Sequence, residues 1–448
     1  MPQPLSELTH SLLKAARTAG ADAADAIAVQ AASLSIDVRA GKLEQAERSE
    51  GQDIGLRVFV GQRSALVSAS DTSTRTIEDM AQRAVAMARE APEDPHAGLA
   101  EPDQIARHWD LDALQLYDPS PEPSPDALRD DAAEAEAAAL AVDGVSQVQS
   151  ASAGYGAQEI HLAASNGFEG GYRRSNRGLS CVAISGTGTG MERDYDGDSR
   201  VFQSDLRSAA EIGRTAAERV LARRNPRKPP TGTFPVLFDE RISSSLIGHL
   251  LSAANGAAVA RGSSWLRDAL HQQVLPEGLS LIEDPHRARV SGSRPFDAEG
   301  LPTAKRTIVE NGVLMGWTLD LATARKVEMA PTGNAARGTS SGPSPTTWNV
   351  ALTQGAAGRD DLIRDMGTGL LVTSMIGSTI NPNTGDYSRG AAGLWVENGE
   401  ITHAINECTI AGNLRDMLLS IVPANDARPH LSRVVPSLLI PGMTLAGA

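Results

Sequence analysis

Near the middle of the chain, residues 225–232 read NPRKPPTG: three prolines, two basic residues and a closing glycine. Proline removes a backbone donor and fixes φ, so neither a helix nor a central strand runs through such a stretch. The chain must therefore be built in two parts, 1–230 and 231–448. Of its 448 residues, each half exceeds the roughly 100–200 residues of a typical domain or falls at its upper end, so each can bury a core.

The first part alternates helical and strand patterns. Residues 5–19 place Leu5, Leu8, Leu12, Leu13 and Ala16 on one helical face, and helical spacing returns over 74–90. Leu34, Ile36 and Val38 alternate through 33–39, and strands at 54–60 and 64–70 flank a turn at Gly61-Gln62-Arg63. Residues 117–125 (YDPSPEPSP) form an extended connector, which leaves a sub-boundary open there. Beyond it the pattern predicts an Ala-rich helix over 126–142 and strands over 145–152, 157–164 and 178–185. A helix follows over 204–224, capped by Ser204 or Asp205.

The second part begins with a strand at 234–238 and a helix at 241–258, then turns mostly to strands: 280–284, 304–310, 313–319, 347–353, 368–373, 391–397 and 400–410. Asn311-Gly312 and Asn398-Gly399 are hairpin signals. The expected class is α+β, an N-terminal α/β domain with helices on a sheet and a C-terminal β-rich, barrel-like domain with a few helices.

Composition excludes several functions. The formal charge is -14, which repels phosphate backbones, and aromatics are 4%, too few for base-stacking platforms, so no nucleic-acid partner is expected. No apolar run approaches the roughly 18–20 residues that span a bilayer, so no membrane partner is expected. The N-terminus lacks a basic segment followed by an apolar core, which points to the cytoplasm. Two cysteines, Cys181 and Cys408, exclude a disulfide scaffold and a four-cysteine zinc module.

Local motifs carry little chemistry on their own. The stretch 192–198 (ERDYDGD) resembles a calcium loop, but Ser199 stands where the sharp-turn glycine is needed, so a solvated acidic loop is expected. Residues 186–190 (GTGTG) lack a following helix that would hold a pyrophosphate. Ser245 and His249 are spaced to meet on one helix, yet nothing in the spacing supplies a third group.

The helix at 241–258 is where a family resemblance enters. The run Phe238-Asp239-Glu240-Arg241 leads into Ser244-Ser245-Leu246-Ile247-Gly248-His249, and farther on lie Asn381-Pro382-Asn383-Thr384-Gly385-Asp386-Tyr387-Ser388-Arg389-Gly390 and Thr409-Ile410-Ala411-Gly412-Asn413. Gly333-Asn334-Ala335-Ala336-Arg337 and Gly55-Leu56-Arg57 fit the same pattern. Over essentially its whole length the chain resembles the TldD/PmbA family, on the PmbA (TldE) side. The resemblance implies a heterodimeric TldD–TldE metallopeptidase that acts on unfolded peptides, including peptide precursors and labile antitoxin proteins. In the TldD-type subunit this helix carries H-E-x-x-x-H. Here Ser244 stands at the first histidine and Ser245 at the glutamate, and His249 alone remains.

One imidazole does not make a catalytic zinc site, which uses three protein ligands, and two hydroxyls do not replace a carboxylate base. The resemblance thus implies a catalytically silent chain with no metal and no cofactor of its own, zinc lying in a TldD-type partner subunit. Asn334, Arg337, Tyr387, Arg389 and Trp395 are its candidate peptide-binding or interface residues, with a tight barrel corner around a buried Trp395 as the structural reading of the same motif. Two other readings stay open: an autonomous homodimeric peptide hydrolase, and a non-enzymatic peptide-binding regulator.

Overall fold

The computed structural model describes residues 3–447, apart from the Ser378 side chain. In chain order the N-terminal domain contains Leu5–Ala19 (α1), Ala23–Arg39 (β1), Lys42–Val60 (β2), Arg63–Ala69 (β3), Thr74–Glu90 (α2), Pro125–Leu140 (α3), Val145–Ala164 (β4), Glu169–Ser185 (β5), Glu192–Arg200 (β6) and Ala209–Ala222 (α4). The strands form one antiparallel sheet in the order β3-β2-β1-β4-β5-β6.

Alternation explains what covers this sheet. Even positions of β1 lie under helices: Ala24, Ala26 and Ala28 under α1 and α2, and Leu34, Ile36 and Val38 under α3 and α4. Odd positions face the other way, where Ile27 packs with Leu162, Phe168, Phe296 and Leu301. One face is thus covered by helices and the other meets the C-terminal domain.

That domain opens with Gly232–Phe238 (β7) and Glu240–Ala253 (α5) and closes through Gly369–Ile380 (β8), Asp386–Glu397 (β9), Glu400–Asn413 (β10) and Leu438–Ala446 (β11). β7 pairs parallel with β8 and antiparallel with β11; β8, β9 and β10 follow antiparallel. Pairing of Thr409–Ala411 with residues 444–446 joins β10 to β11 and closes a five-stranded barrel. A smaller five-stranded sheet, built on Leu281–Glu283 and Arg306–Glu310, packs beside it. Asn311 and Gly312 (φ 47° and 84°) and Asn398 and Gly399 (φ 52° and 79°) both make the expected left-handed hairpin turns.

Several expectations are corrected. The strands at 145–152 and 157–164 are one strand, β4, which runs through Gly154 and Gly156 without turning. The helix expected over 204–224 begins at Ala209, and its cap is Ser208, which accepts the Glu211 N–H at 3.3 Å; Asp205 instead pairs with Arg289. The helix at 241–258 breaks after Ala253, because Asn255 caps a new short helix by accepting the Ala257 N–H. The strand at 347–353 shrinks to Val350–Leu352, since the buried Glu283 carboxylate draws the Trp348 N–H out of the ladder. The strand at 313–319 stops at Leu314.

The acidic stretch is not a solvated loop. It is edge strand β6, with Asp194, Asp196 and Asp198 buried. Asp196 pairs with Arg207 and Arg219, and Asp194 with Arg223 and Arg241. Inward charges of this kind also keep an open sheet edge from pairing with another chain. Among the described residues, no helix is long and apolar enough to cross a membrane.

Candidate functional site

α5 follows β7 directly, and Asp239 caps it by accepting the Arg241 N–H at 3.2 Å. The helix buries Leu246, Ile247, Leu250 and Leu251 in the core shared with the barrel. Its polar positions include Ser244, Ser245 and His249, and the buried Ser245 Oγ and His249 Nε2 have no hydrogen-bond partner.

The hairpin between β8 and β9 brings the next residues to this helix. Asn381 Oδ1 accepts the N–H groups of Asn383 and Thr384, Gly385 takes φ 82°, and Asn413 Nδ2 donates to the Thr384 carbonyl and to Asp386. The long Asn381–Asn413 pattern is therefore first a clamp on a turn. It sets the Tyr387 ring edge-on to His249 at 6.0 Å, with the Tyr387 hydroxyl donating to Met375 Sδ at 3.3 Å. Arg389 Nε donates to the Gly377 carbonyl at 2.7 Å.

The electrostatics oppose a cation. Burial, then Arg389 and Arg433, push the His249 pKa below the ordinary imidazole value, so His249 is neutral at neutral pH. Gly248 leaves room for Arg433, whose guanidinium nitrogen would lie 2.9 Å from a Cβ there. Cys408 is buried, donates to the Ala391 carbonyl at 3.2 Å, and burial pushes its thiol up to about 11, so it is not a thiolate. One imidazole, two hydroxyls and two guanidiniums do not fit zinc, which takes thiolate, imidazole and carboxylate donors. Among the described residues, no three His, Cys, Asp or Glu side chains gather as a metal set.

The other candidates lie apart. Trp395 is 3% exposed, packs on Phe234 at 5.2 Å and donates its indole N–H to Glu397, so no ring face is free for a peptide. Asn334 is buried and donates to Glu283 and to the Thr346 carbonyl, which fastens two loops together. Arg337 reaches across to the N-terminal domain and pairs with Asp25, which also takes Arg57. Burial works to raise the Asp25 pKa, but Arg337 and Arg57 hold it below the usual carboxylate value.

Gly55 permits that meeting: the Thr339 carbonyl oxygen lies 2.2 Å from where a Cβ would be. Two short patterns nearly 280 residues apart, 55–57 and 333–337, thus form the joint between the domains. Beside it lie two more buried acids that sequence reasoning missed. Burial, then Asp297, push Glu299 up to about 8. Burial pushes Asp297 to about 6 against three backbone N–H donors. No local pattern marks Asp25, Glu299 or Arg433, since their partners are distant in sequence.

Comparison with known proteins defines the class. Residues 231–447 match the PmbA/TldA metallopeptidase C-terminal domain, 118–224 the central domain and 24–88 domain 1. The chain belongs to the PmbA/TldD metallopeptidase family. It is 36% identical to Metalloprotease PmbA of Escherichia coli O157:H7, over 95% of this chain and 92% of that one. It is likewise 36% identical to a Metalloprotease PmbA homolog of Haemophilus influenzae, over 99% and 96%. Among solved structures it is similar to a proposed modulator of DNA gyrase from Bacteroides thetaiotaomicron, with TM-score 0.91, 28% identity and 99% of each chain covered. TldE of Thermococcus kodakarensis shares the fold, with TM-score 0.85, 21% identity, and 98% of this chain and all of that one covered.

Proposed function

We propose that this chain is the zinc-free, catalytically silent subunit of a cytoplasmic TldD–TldE-type metallopeptidase that processes unfolded peptides. Its zinc-bearing partner would be a TldD-type subunit, and this chain would complete the chamber and guide the substrate. The observation that carries the reading is α5: Ser244 and Ser245 stand at ligand and base positions, while Arg389 and Arg433 bias the surviving His249 against a cation. A neutral imidazole without a carboxylate or thiolate beside it neither holds zinc tightly nor activates a water. We take the domain division at 230/231, with the connector 117–125 as a sub-boundary, to be part of the same reading.

Elemental analysis of the purified, dialysed chain tests it, together with peptide hydrolysis by the chain alone and mixed with a TldD-type subunit. The expected result is far less than one zinc per chain, no hydrolysis alone, and hydrolysis in the mixture with zinc in the partner. One tightly held zinc per chain with hydrolysis lost on His249→Ala would establish an autonomous hydrolase and overturn the proposal. Peptide binding without turnover in the mixture would overturn it in favour of a regulator.

A further inference from the structure

Between the open face of the six-stranded sheet and the C-terminal domain lies a cavity of about 380 Å³, within the size range of small-ligand sites, about 300–1,000 Å³. Three arginines line it: Arg174 from β5, and Arg294 and Arg337 from the C-terminal domain. Their charges are poorly compensated. Arg174 and Arg294 both donate to the Ser291 carbonyl, and Arg294 also to that of Ser293 at 2.7 Å. Among the described residues neither has a carboxylate partner.

Arg337 is the sharper case. Its side chain is 0% exposed, and Nη1 is spent on Asp25, a carboxylate already shared with Arg57. Nε and Nη2 have no partner. These two nitrogens form one edge of the guanidinium, with two parallel N–H groups at the spacing that matches a carboxylate. Leaving buried donors of a charged group unsatisfied is costly, so the arrangement is poised for an acceptor.

The acids nearby do not supply one. Asp297 accepts the N–H groups of Glu299, Leu301 and Ala335, and Asp53 is exposed and accepts from Ser70. Burial, and after it the neighbouring Arg294, push the Arg174 pKa down to about 10. The remaining wall is aromatic. Tyr172 meets Phe296 edge-on at 5.6 Å, and Trp348 lies under the Arg294 guanidinium at 5.2 Å. Cationic forks beside rings suit a carboxylate attached to an apolar group.

We propose that this cavity holds the C-terminal carboxylate of a peptide between Arg174, Arg294 and Arg337, with an apolar last side chain against Tyr172, Phe296 and Trp348. The choice of a peptide rests on the functional reading above; the anion site rests on the arginines alone. This would anchor one end of an extended substrate away from the barrel helix.

Calorimetric titration of the full chain, with EDTA present to stop hydrolysis, compares one leucine-terminated tetrapeptide as free acid and as C-terminal amide. The acid is expected to bind about tenfold tighter or more, the effect of one charge-assisted hydrogen bond. Arg294→Gln and Arg174→Gln, each checked for an unchanged melting temperature, should bring the ratio toward one. Equal binding of acid and amide by the unsubstituted chain, or no binding of either, overturns the proposal whatever the variants do. Inorganic phosphate or acetate displacing the acid at matched affinity also overturns it, in favour of a simple anion site. Zinc content and partner-dependent hydrolysis are measured separately, so failure of the functional reading leaves the acid-to-amide ratio to decide the cavity.

Discussion

Glu299 is buried at the joint between the domains with Asp297 as neighbour, and its carboxyl is pushed up to about 8. In the unfolded chain a glutamate ionises near 4.3, so between about 4.3 and 8 the folded state holds a proton that the unfolded state has lost. The stability linked to this proton is fully present below the unfolded pKa and is lost as pH rises through about 8. Asp297, pushed to about 6, acts in the same direction over a lower window. His249 acts oppositely: its lowered pKa means that stability is lost as pH falls through the ordinary imidazole value. The expected outcome is a melting temperature that declines from pH 6.5 to 8, and a shallower decline in Glu299→Gln. Thermal melts of both proteins across that range check it, and an equally steep decline in the variant would contradict the assignment. None of this was legible in the sequence, because a pKa depends on what burial and distant residues place around a carboxyl. The proposed reading of Ser244 and Ser245 as degenerate ligand and base positions comes solely from the family resemblance, and the guanidiniums around His249 left no signal in the sequence.

At the scale of elements, reading the sequence worked where periodicity was long. α1, α2 and β3 follow from unbroken apolar spacing and the Asn-Gly hairpins from turn chemistry, but that spacing marked only 33–39 of β1 and 54–60 of β2; the first half of each strand, including the polar run 42–53, carried no such signal. It failed where side chains competed with the pattern, as at Ser208, Asn255 and Glu283. It also failed at β6, where three aspartates read as solvent-facing until Arg200, Arg207 ahead of α4, Arg219 on α4 and Arg241 on α5 pair with them. α4 offers a test in which packing opposes propensity. Gly213 sits against α3, and the Ala135 carbonyl oxygen lies 2.1 Å from where its Cβ would be. By propensity alone Gly→Ala within a helix gains about 1 kcal/mol. Here the added methyl must push two helices apart, at a cost of about 1–3 kcal/mol. Gly213→Ala is therefore expected to be destabilising in urea unfolding, and a stabilised variant would show that the helices separate freely.

At the scale of the molecule, the sequence pointed to a sheet domain and a barrel-like domain but not to how they are held together. Barrel closure through β10 and β11 and the contact between 55–57 and 333–337 are pairings across the chain that no local period encodes. The joint has a polar centre beside its apolar cluster: one carboxylate, Asp25, sits between two guanidiniums that are 13% and 0% exposed. Removing the carboxylate takes from Arg337 its ion-pair partner and leaves Arg57 with Glu299 at 3.7 Å; breaking a buried pair in this way costs about 3–5 kcal/mol. Part of that cost falls on the contact between domains, since Arg337 comes from the C-terminal domain, and part within the sheet, where Asp25 of β1 lies opposite Arg57 of β2. The intact chain is expected to melt in one cooperative transition. In Asp25→Ala the two domains should lose coupling, with the calorimetric trace splitting or broadening so that the van't Hoff enthalpy falls below the calorimetric one. A variant that still melts in a single sharp transition at the original temperature would mean that Gly55–Thr339 packing and the apolar contacts around Phe296 suffice to join the domains. The Asp25 cluster would then serve mainly to fix Arg337 beside the cavity, so the acid-to-amide ratio would change in this variant while cooperativity did not.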